Sequence, residues 1–226
     1  MFFDPRYFMW IAPAVLLAFW AQWRVHAAYA AAQRMPAPLS GAAAARHVLD
    51  SAGLGDVAIE EVGGVLTDHY DPRDKVLRLS TQVYQSRTLA AVGIAAHEAG
   101  HAIQDAQGYS LMVVRNAAVP MAGIGSNASI WLLILGAVLQ RPSLIMIGIA
   151  LFGCVVFFQI VNLPVEFNAS SRAKTQLVAL GIVDPESMVY VNAVLNAAAW
   201  TYVAATLQAI LTLLYYITRF TGNRRD

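Results

Sequence analysis

The chain has 226 residues, of which 58% are hydrophobic and 13% are charged. A typical soluble domain carries about 25% charged residues, and the mean hydropathy of this chain is +0.53. An ordinary soluble globular protein is therefore excluded. The net charge of +1 gives no basis for nucleic-acid binding, so we predict a lipid bilayer as the main surrounding and no nucleic-acid partner.

Four apolar stretches are long enough to cross a bilayer, which takes about 20 residues in a helix. They lie at residues 7–25, 117–139, 143–163 and 197–217. The first is too long and too aromatic for the core of a signal peptide, so we predict a retained helix. The second and third form a predicted hairpin that turns at Gln140, Arg141 and Pro142. We expect a mainly α, multi-pass membrane protein.

A stretch of ordinary globular composition separates the first two spans. Ser40 and Gly41 open a predicted helix that continues to Leu49, and two strands follow at residues 57–66 and 75–80. We predict that a polar turn at residues 71–74 joins these strands into a hairpin. A helix is then predicted from Ser86, its N-cap, to Gln107, and Gly108 should end it. This region is the predicted small α+β domain.

The string HEAGH occupies residues 97–101 of that helix. Histidines four positions apart lie on the same helical face, so His97 and His101 can bind one metal ion at about 2 Å. Glu98 then lies beside the metal, where a carboxylate can act as general base toward water. The alternative is a chance match, which shuffled sequences of this composition give on the order of a few times per thousand. The motif predicts a metallohydrolase with a zincin-like catalytic domain.

A catalytic zinc ion takes three protein ligands and keeps one position open. Gln104 and Gln107 stand where a metzincin has a glycine and its third histidine. Asp105 lies about 12 Å along the helix axis from His97. Glu166 fits better, because the two-span hairpin returns the chain to the side that it left, and Pro164 is expected to break the third span and open a new helix. The other candidate carboxylates are Glu60, Glu61 and Glu186.

Three segments resemble the YugP-like family of bacterial membrane zinc metallopeptidases. They are DHYDP at 68–72, HEAGHAIQ at 97–104 and LPVEFNASSRA at 163–173. The resemblance covers most of the chain and implies an inner-membrane, multi-pass enzyme with His97, His101 and Glu166 as zinc ligands and Glu98 as catalytic residue. HtpX-like proteases are similar in the order of elements, but they place an aspartate four residues after the glutamate, where this chain has Ser170.

The predicted function is a zinc-dependent endopeptidase of gluzincin type that cleaves a protein or peptide substrate near the bilayer surface with a zinc-activated water. We expect one zinc ion per chain. Arg172 is a candidate for binding a substrate carbonyl or orienting Glu166, and His69 or Tyr70 for stabilising the oxyanion. The predicted organisation is a first transmembrane helix (1–26), a catalytic region (27–116), a transmembrane hairpin (117–163), a helix with the third ligand (164–196), and a last helix with a basic tail (197–226).

Two other functions remain open at this point. An intramembrane protease of the site-2 type would place HEAGH within a span, and the apolar residues 89–96 allow that. No Leu-Asp-Gly-like ligand motif occurs in a later span, however. A non-catalytic membrane scaffold could retain a metal site, although a purely structural site needs no base such as Glu98. Positive charges near the span ends are balanced, so the sequence decides neither the orientation nor the oligomeric state.

Overall fold

A computed structural model describes residues 4–221. Within this range the chain forms seven helices and three strands. They are α1 (Pro5–Gln33), α2 (Gly41–Ser51), β1 (Ala58–Val62), β2 (His69–Asp71), β3 (Val76–Ser80), α3 (Thr81–Gln85), α4 (Leu89–Ala106), α5 (Ser110–Val138), α6 (Pro142–Ala179) and α7 (Met188–Thr221). The basic tail predicted at the C-terminus lies mostly outside the described residues.

Four of these helices are long and apolar enough to cross a membrane: Pro5–Gln33, Ser110–Val138, Pro142–Ala179 and Met188–Phe220. They match the four spans that the hydropathy of the sequence predicts. The prediction of a mainly α membrane protein with a small α+β region is therefore confirmed.

The chain divides into two compact units. As far as its residues are described, the first comprises Met1–Trp20, Val113–Pro164 and Trp200–Asp226. Here α5 and α6 are connected at residues 139–141, as the predicted hairpin requires. Gly125 allows them to approach closely, since a Cβ atom at this position would lie 2.5 Å from the carbonyl oxygen of Leu151. Large apolar side chains remain exposed on this unit, as lipid-facing surfaces require, among them Leu16, Phe19, Trp131 and Phe157.

The second unit comprises Ala21–Met112 and Val165–Ala199 and contains the sheet and the short helices. Its core includes fully buried aliphatic side chains from α2, β3 and α4, namely Val48, Leu49, Leu77, Leu79 and Val92. Ser40 caps α2 as predicted, because its hydroxyl accepts a hydrogen bond from the amide of Ala43 at 3.3 Å. This core supports one side of α4.

The sheet differs from the predicted hairpin. Its strand order is β1-β3-β2, with β1 parallel to β3 and β2 antiparallel to β3. Residues 57–66 and 75–80 do contribute neighbouring strands, β1 and β3, but the two strands are parallel. The prediction that they form a hairpin is therefore wrong, and the hairpin is formed by β2 and β3. The polar turn does exist, but it joins β2 to β3, and Lys75 adopts a left-handed conformation there with φ of 54°.

Two predicted helix boundaries are also wrong. Ser86 ends α3, and the N-cap of α4 is Thr88, whose hydroxyl accepts a hydrogen bond from the amide of Ala91 at 3.3 Å. Pro164 lies inside α6 and does not break it. A proline in a long apolar helix removes one backbone hydrogen bond, and such helices tolerate the loss. The predicted stop at Gly108 is confirmed by its φ of +61° just after α4.

Candidate metal centre

The two histidines of the motif lie on one face of α4. Their ring centroids are 4.8 Å apart and the rings are nearly perpendicular, at 83°. The side chains of His97 and His101 are 14% and 10% exposed, respectively. The opposite side of this part of the helix is made of buried alanines, including Ala95, Ala96 and Ala99. The small side chains let the backbone of α4 pack closely against the core. The backbone positions from which the two histidine rings project are therefore held in place.

Glu166, on α6, reaches the same point. Its Oε2 atom is 3.3 Å from Nε2 of His97 and 3.5 Å from Nε2 of His101. One ligand atom from each of these three residues lies within 4.8 Å of the others. The close approach depends on Gly100, where a Cβ atom would lie 2.7 Å from the carbonyl oxygen of Ala169. The glycine of HEAGH therefore lets α6 pack directly on the motif.

The three side chains fit a tetrahedral metal ion. Ligand atoms at about 2.0–2.1 Å from such an ion are separated from each other by about 3.4 Å, close to the two distances between Glu166 and the histidines. The Oε2 atom of Glu166 is buried and has no hydrogen-bond partner among the described residues. Leaving a buried carboxylate oxygen unpaired is costly, and a bound cation removes that cost.

The other ring nitrogen of each histidine has a neutral partner. Nδ1 of His97 is 3.1 Å from the hydroxyl oxygen of Ser170. Nδ1 of His101 is 2.9 Å from Oε1 of Gln104, which is fully buried. A hydrogen bond at Nδ1 leaves Nε2 as the metal-binding atom. Both rings present Nε2 toward Glu166, as the distances above show.

Glu98 lies beside this cluster. Its Oε2 atom accepts a hydrogen bond from the backbone amide of Tyr70 in β2, at 3.1 Å. Burial raises the pKa of the Glu98 carboxyl, and the neighbouring carboxylates of Glu166 and Asp68 add to the increase against the opposite effect of the histidines. A carboxylate with a raised pKa is a stronger base. The arrangement thus places one basic carboxylate beside three candidate ligands.

The alternative carboxylates make contacts of other kinds. Asp105 accepts a hydrogen bond from the phenol of Tyr70 at 2.8 Å and forms an ion pair with Lys75. Burial and the bond to Asp105 raise the pKa of Tyr70. Glu60 pairs with Arg78, Glu61 accepts from Gln85, and Glu186 lies in the connection that precedes α7. Asp105 therefore anchors the β2–β3 turn to α4.

The structure also locates the candidate substrate-binding residues. Arg172 donates to Asn168 at 2.7 Å and to Gln107 at 2.6 Å, so its described hydrogen bonds do not orient Glu166. His69 is exposed, and its Nδ1 atom is 2.8 Å from the carbonyl oxygen of Thr67. The phenol of Tyr70 is engaged by Asp105, as described above. Substrate binding by Arg172 or His69 stays a prediction.

Sequence reasoning missed the roles of three partners of the site: Gln104, Ser170 and the amide of Tyr70. Gln104 lies three residues after His101, so helical spacing alone offered a signal for it. Ser170 stands four residues after Glu166, also one helical turn away. The amide of Tyr70 gave no signal, because its position depends on how β2 pairs with β3.

The chain is similar to known proteins over almost its whole length. Residues 7–221 match the model of a family described as "Putative neutral zinc metallopeptidase". The chain belongs to this family. A relative from Bacillus subtilis (strain 168), described as "Putative membrane protease YugP", is 43% identical over 222 residues, which cover 97% of this chain and 99% of the relative. No solved structure matches the chain significantly.

Membership confirms the predicted YugP-like resemblance. The family implies a peptidase that uses zinc and acts on protein or peptide substrates. Together with the four apolar helices, the similarity to a membrane protease supports a multi-pass membrane protein. The cluster of His97, His101 and Glu166 is the group of residues, within the described chain, that can hold such a metal ion.

Proposed function

We propose that the protein is a zinc-dependent endopeptidase in which His97, His101 and Glu166 hold one zinc ion and Glu98 is the catalytic base. The observation that carries the proposal is the convergence of three candidate ligand atoms within 4.8 Å of one another. Glu98 lies on α4, the helix that also contributes both histidines. Two neutral imidazoles and a carboxylate suit zinc better than magnesium or calcium.

When bound, zinc supplies a Lewis acid that polarises a peptide carbonyl and makes water more acidic. Glu98 accepts the proton of the attacking water and passes it to the nitrogen of the leaving amine. The amide of Tyr70 holds the Glu98 carboxylate in place through its hydrogen bond at 3.1 Å.

We further propose that hydrolysis takes place at the bilayer surface and not within the hydrocarbon. Glu98 accepts a hydrogen bond from the backbone of β2, which is an edge strand of the three-stranded sheet. The open edge of a sheet is not tolerated in contact with lipid, because its backbone groups would lack partners. This favours a surface protease over an intramembrane protease of the site-2 type. The similarity to a membrane protease of Bacillus subtilis supports a location in the bacterial inner membrane, which is part of this proposal.

The proposal is tested on the purified full-length protein in detergent. Elemental analysis should give one zinc ion per chain, and an unfolded protein substrate should be hydrolysed in a zinc-dependent manner. The His97→Ala, His101→Ala double variant should have neither property. Absence of a transition metal above the level of this variant, or equal hydrolysis by both proteins, would contradict the proposal.

A further inference from the structure

Gln104 is a glutamine with no exposed surface, located one helical turn after His101. Its Oε1 atom is 2.9 Å from Nδ1 of His101. Its Nε2 atom donates to the backbone carbonyl of Val165 at 2.8 Å and to Oδ1 of Asn168 at 2.9 Å. Both amide hydrogens and the amide oxygen are therefore used, and each bond except the one to His101 leads to α6.

The orientation of this amide is determined by its partners. A backbone carbonyl can only accept a hydrogen bond, so the NH₂ end of Gln104 must face Val165. Arg172 can only donate, and its Nε atom lies 2.7 Å from Oδ1 of Asn168. This makes the Asn168 atom that faces Gln104 an oxygen, which again requires the NH₂ end. The oxygen of Gln104 must then face His101.

The tautomer of His101 follows. The carbonyl oxygen of Gln104 has no hydrogen to give, so Nδ1 of His101 must carry the proton and donate it. In the neutral ring Nε2 then has a free lone pair, 3.5 Å from Oε2 of Glu166. His97 differs, because the hydroxyl of Ser170 can either donate or accept at 3.1 Å and so does not select a tautomer.

We infer that Gln104 is a positioning residue that fixes His101 in its Nδ1–H tautomer, with the backbone of Val165 setting the orientation of the Gln104 amide. The inference rests on the proposed function, since it concerns the same histidine, and adds the device that prepares this ligand. Glu166 directly follows Val165, whose carbonyl group determines the orientation of the Gln104 amide. The segment of α6 that contributes the carboxylate therefore also prepares His101.

The test compares two substitutions of Gln104 in the full-length protein. Gln104→Met has a similar shape but lacks the amide oxygen, and should weaken zinc binding about 10- to 100-fold, as loss of a histidine partner typically does. Gln104→Glu keeps an oxygen that accepts from Nδ1 of His101, and in its neutral form it also has an O–H group that can donate to the Val165 carbonyl in place of the lost NH₂ group, so it should restore most of the affinity. Zinc affinity is measured by competition with a chromophoric chelator. Equal losses in the two variants would overturn the inference.

Asn168→Ala serves as the matched control. It removes one hydrogen bond of Gln104 but leaves both the Val165 carbonyl and the contact with His101, so zinc affinity should change less than about threefold. A loss as large as that of Gln104→Met would mean that the effect comes from packing between α4 and α6, and would contradict a role in positioning.

A second readout does not involve zinc. In the zinc-free protein, ¹⁵N chemical shifts of the histidine rings should show His101 protonated at Nδ1, and Gln104→Met should shift it toward the Nε2–H form. An unchanged ring in the variant would overturn the inference. If wild-type protein shows the Nδ1–H tautomer but binds no zinc, the proposed function fails while the positioning of His101 stands.

Discussion

Glu98 makes a different kind of contact from the three converging side chains. Its described hydrogen bond comes from the amide of Tyr70, whereas the histidine rings direct Nε2 toward Glu166. Replacing Glu98 should therefore leave the metal site almost intact. This separates two properties, zinc binding and proton transfer, that are lost together when a ligand is replaced.

Glu98→Gln should retain zinc and fold but lose about 10²- to 10⁴-fold in hydrolysis, because the amide keeps the shape of the side chain and cannot accept the proton. The measurement pairs zinc content with turnover of an unfolded protein substrate. Turnover within tenfold of wild type would remove Glu98 from the mechanism. His97→Ala is the control, and should lose both zinc and turnover.

The two carboxylates that compete for the role of third ligand can be separated by substitution. Glu166→Ala should weaken zinc binding at least ~100-fold, since a carboxylate ligand is lost. Asp105→Ala should leave zinc affinity nearly unchanged but lower the free energy of unfolding by about 1–3 kcal/mol, because the phenol of Tyr70 loses its partner.

Chelator competition gives the affinities of these two variants, and thermal unfolding gives their stabilities. Retained zinc in Glu166→Ala together with lost zinc in Asp105→Ala would overturn the ligand assignment. It would also mean that the metal site is confined to the part of the chain that precedes α5.

At the scale of elements, the packing of α6 on α4 decides whether the site forms. The carbonyl oxygen of Ala169 occupies the space that a side chain at Gly100 would need, at 2.7 Å from the position of a Cβ atom. Ordinary contacts of a Cβ atom are longer than this, so one of the two backbones must shift. Glu166 lies one turn from Ala169 and would move with α6.

Gly100→Ala should therefore weaken zinc binding about tenfold and cost ~1–3 kcal/mol of stability, as overpacking does, although alanine favours helix formation more than glycine. Gly123→Ala is a matched control, because Gly123 is also helical and has no atom within 4 Å of its Cβ position. Equal zinc affinity of Gly100→Ala and wild type would contradict the importance of this contact.

Much of the element pattern was predictable because its causes are local. Hydropathy over about 20 residues indicated the four long helices, and the spacing of His97 and His101 indicated a helical metal site. Glu166 was singled out by topology, since a two-span hairpin returns the chain to the same side. The expected helix break at Pro164 was wrong, but the residue it pointed to lies beside the histidines.

What escaped prediction depends on contacts between distant residues. Strand β2 has three residues, too few for an alternating pattern to be recognised, so β1 and β3 were paired as a hairpin. The hydrogen bond from Tyr70 to Glu98 depends on that missed strand. Gln104 was noted only for what it replaces in another motif, because its partners Val165 and Asn168 lie about 60 residues further along the chain.

At the scale of the whole molecule, the proposed ligands all belong to one of the two compact units. His97 and His101 lie in Ala21–Met112, and Glu166 lies in Val165–Ala199. The stretch Val113–Pro164, which separates these two segments in sequence, belongs to the other unit. A bound metal ion therefore joins two segments of the same unit that are far apart along the chain.

Zinc should stabilise this unit in particular. A ligand present at 1,000 times its dissociation constant stabilises the native state by about 4.1 kcal/mol. Removal of zinc also leaves Oε2 of Glu166 buried without a hydrogen-bond partner, which adds to local instability. Since α4 and the segment 165–179 both contribute ligands, we expect both to open more often in the zinc-free protein.

Hydrogen exchange followed by mass spectrometry can measure how often each segment of the chain opens. On zinc removal, peptides from residues 89–106 and 165–179 should exchange faster, whereas peptides from residues 120–160 should not change. Glu166→Ala should exchange like the zinc-free protein whether or not zinc is added. An equal increase in exchange rate in both sets of peptides would mean that zinc stabilises the whole chain. Faster exchange confined to residues 120–160 would mean that the metal binds outside the His97, His101 and Glu166 cluster.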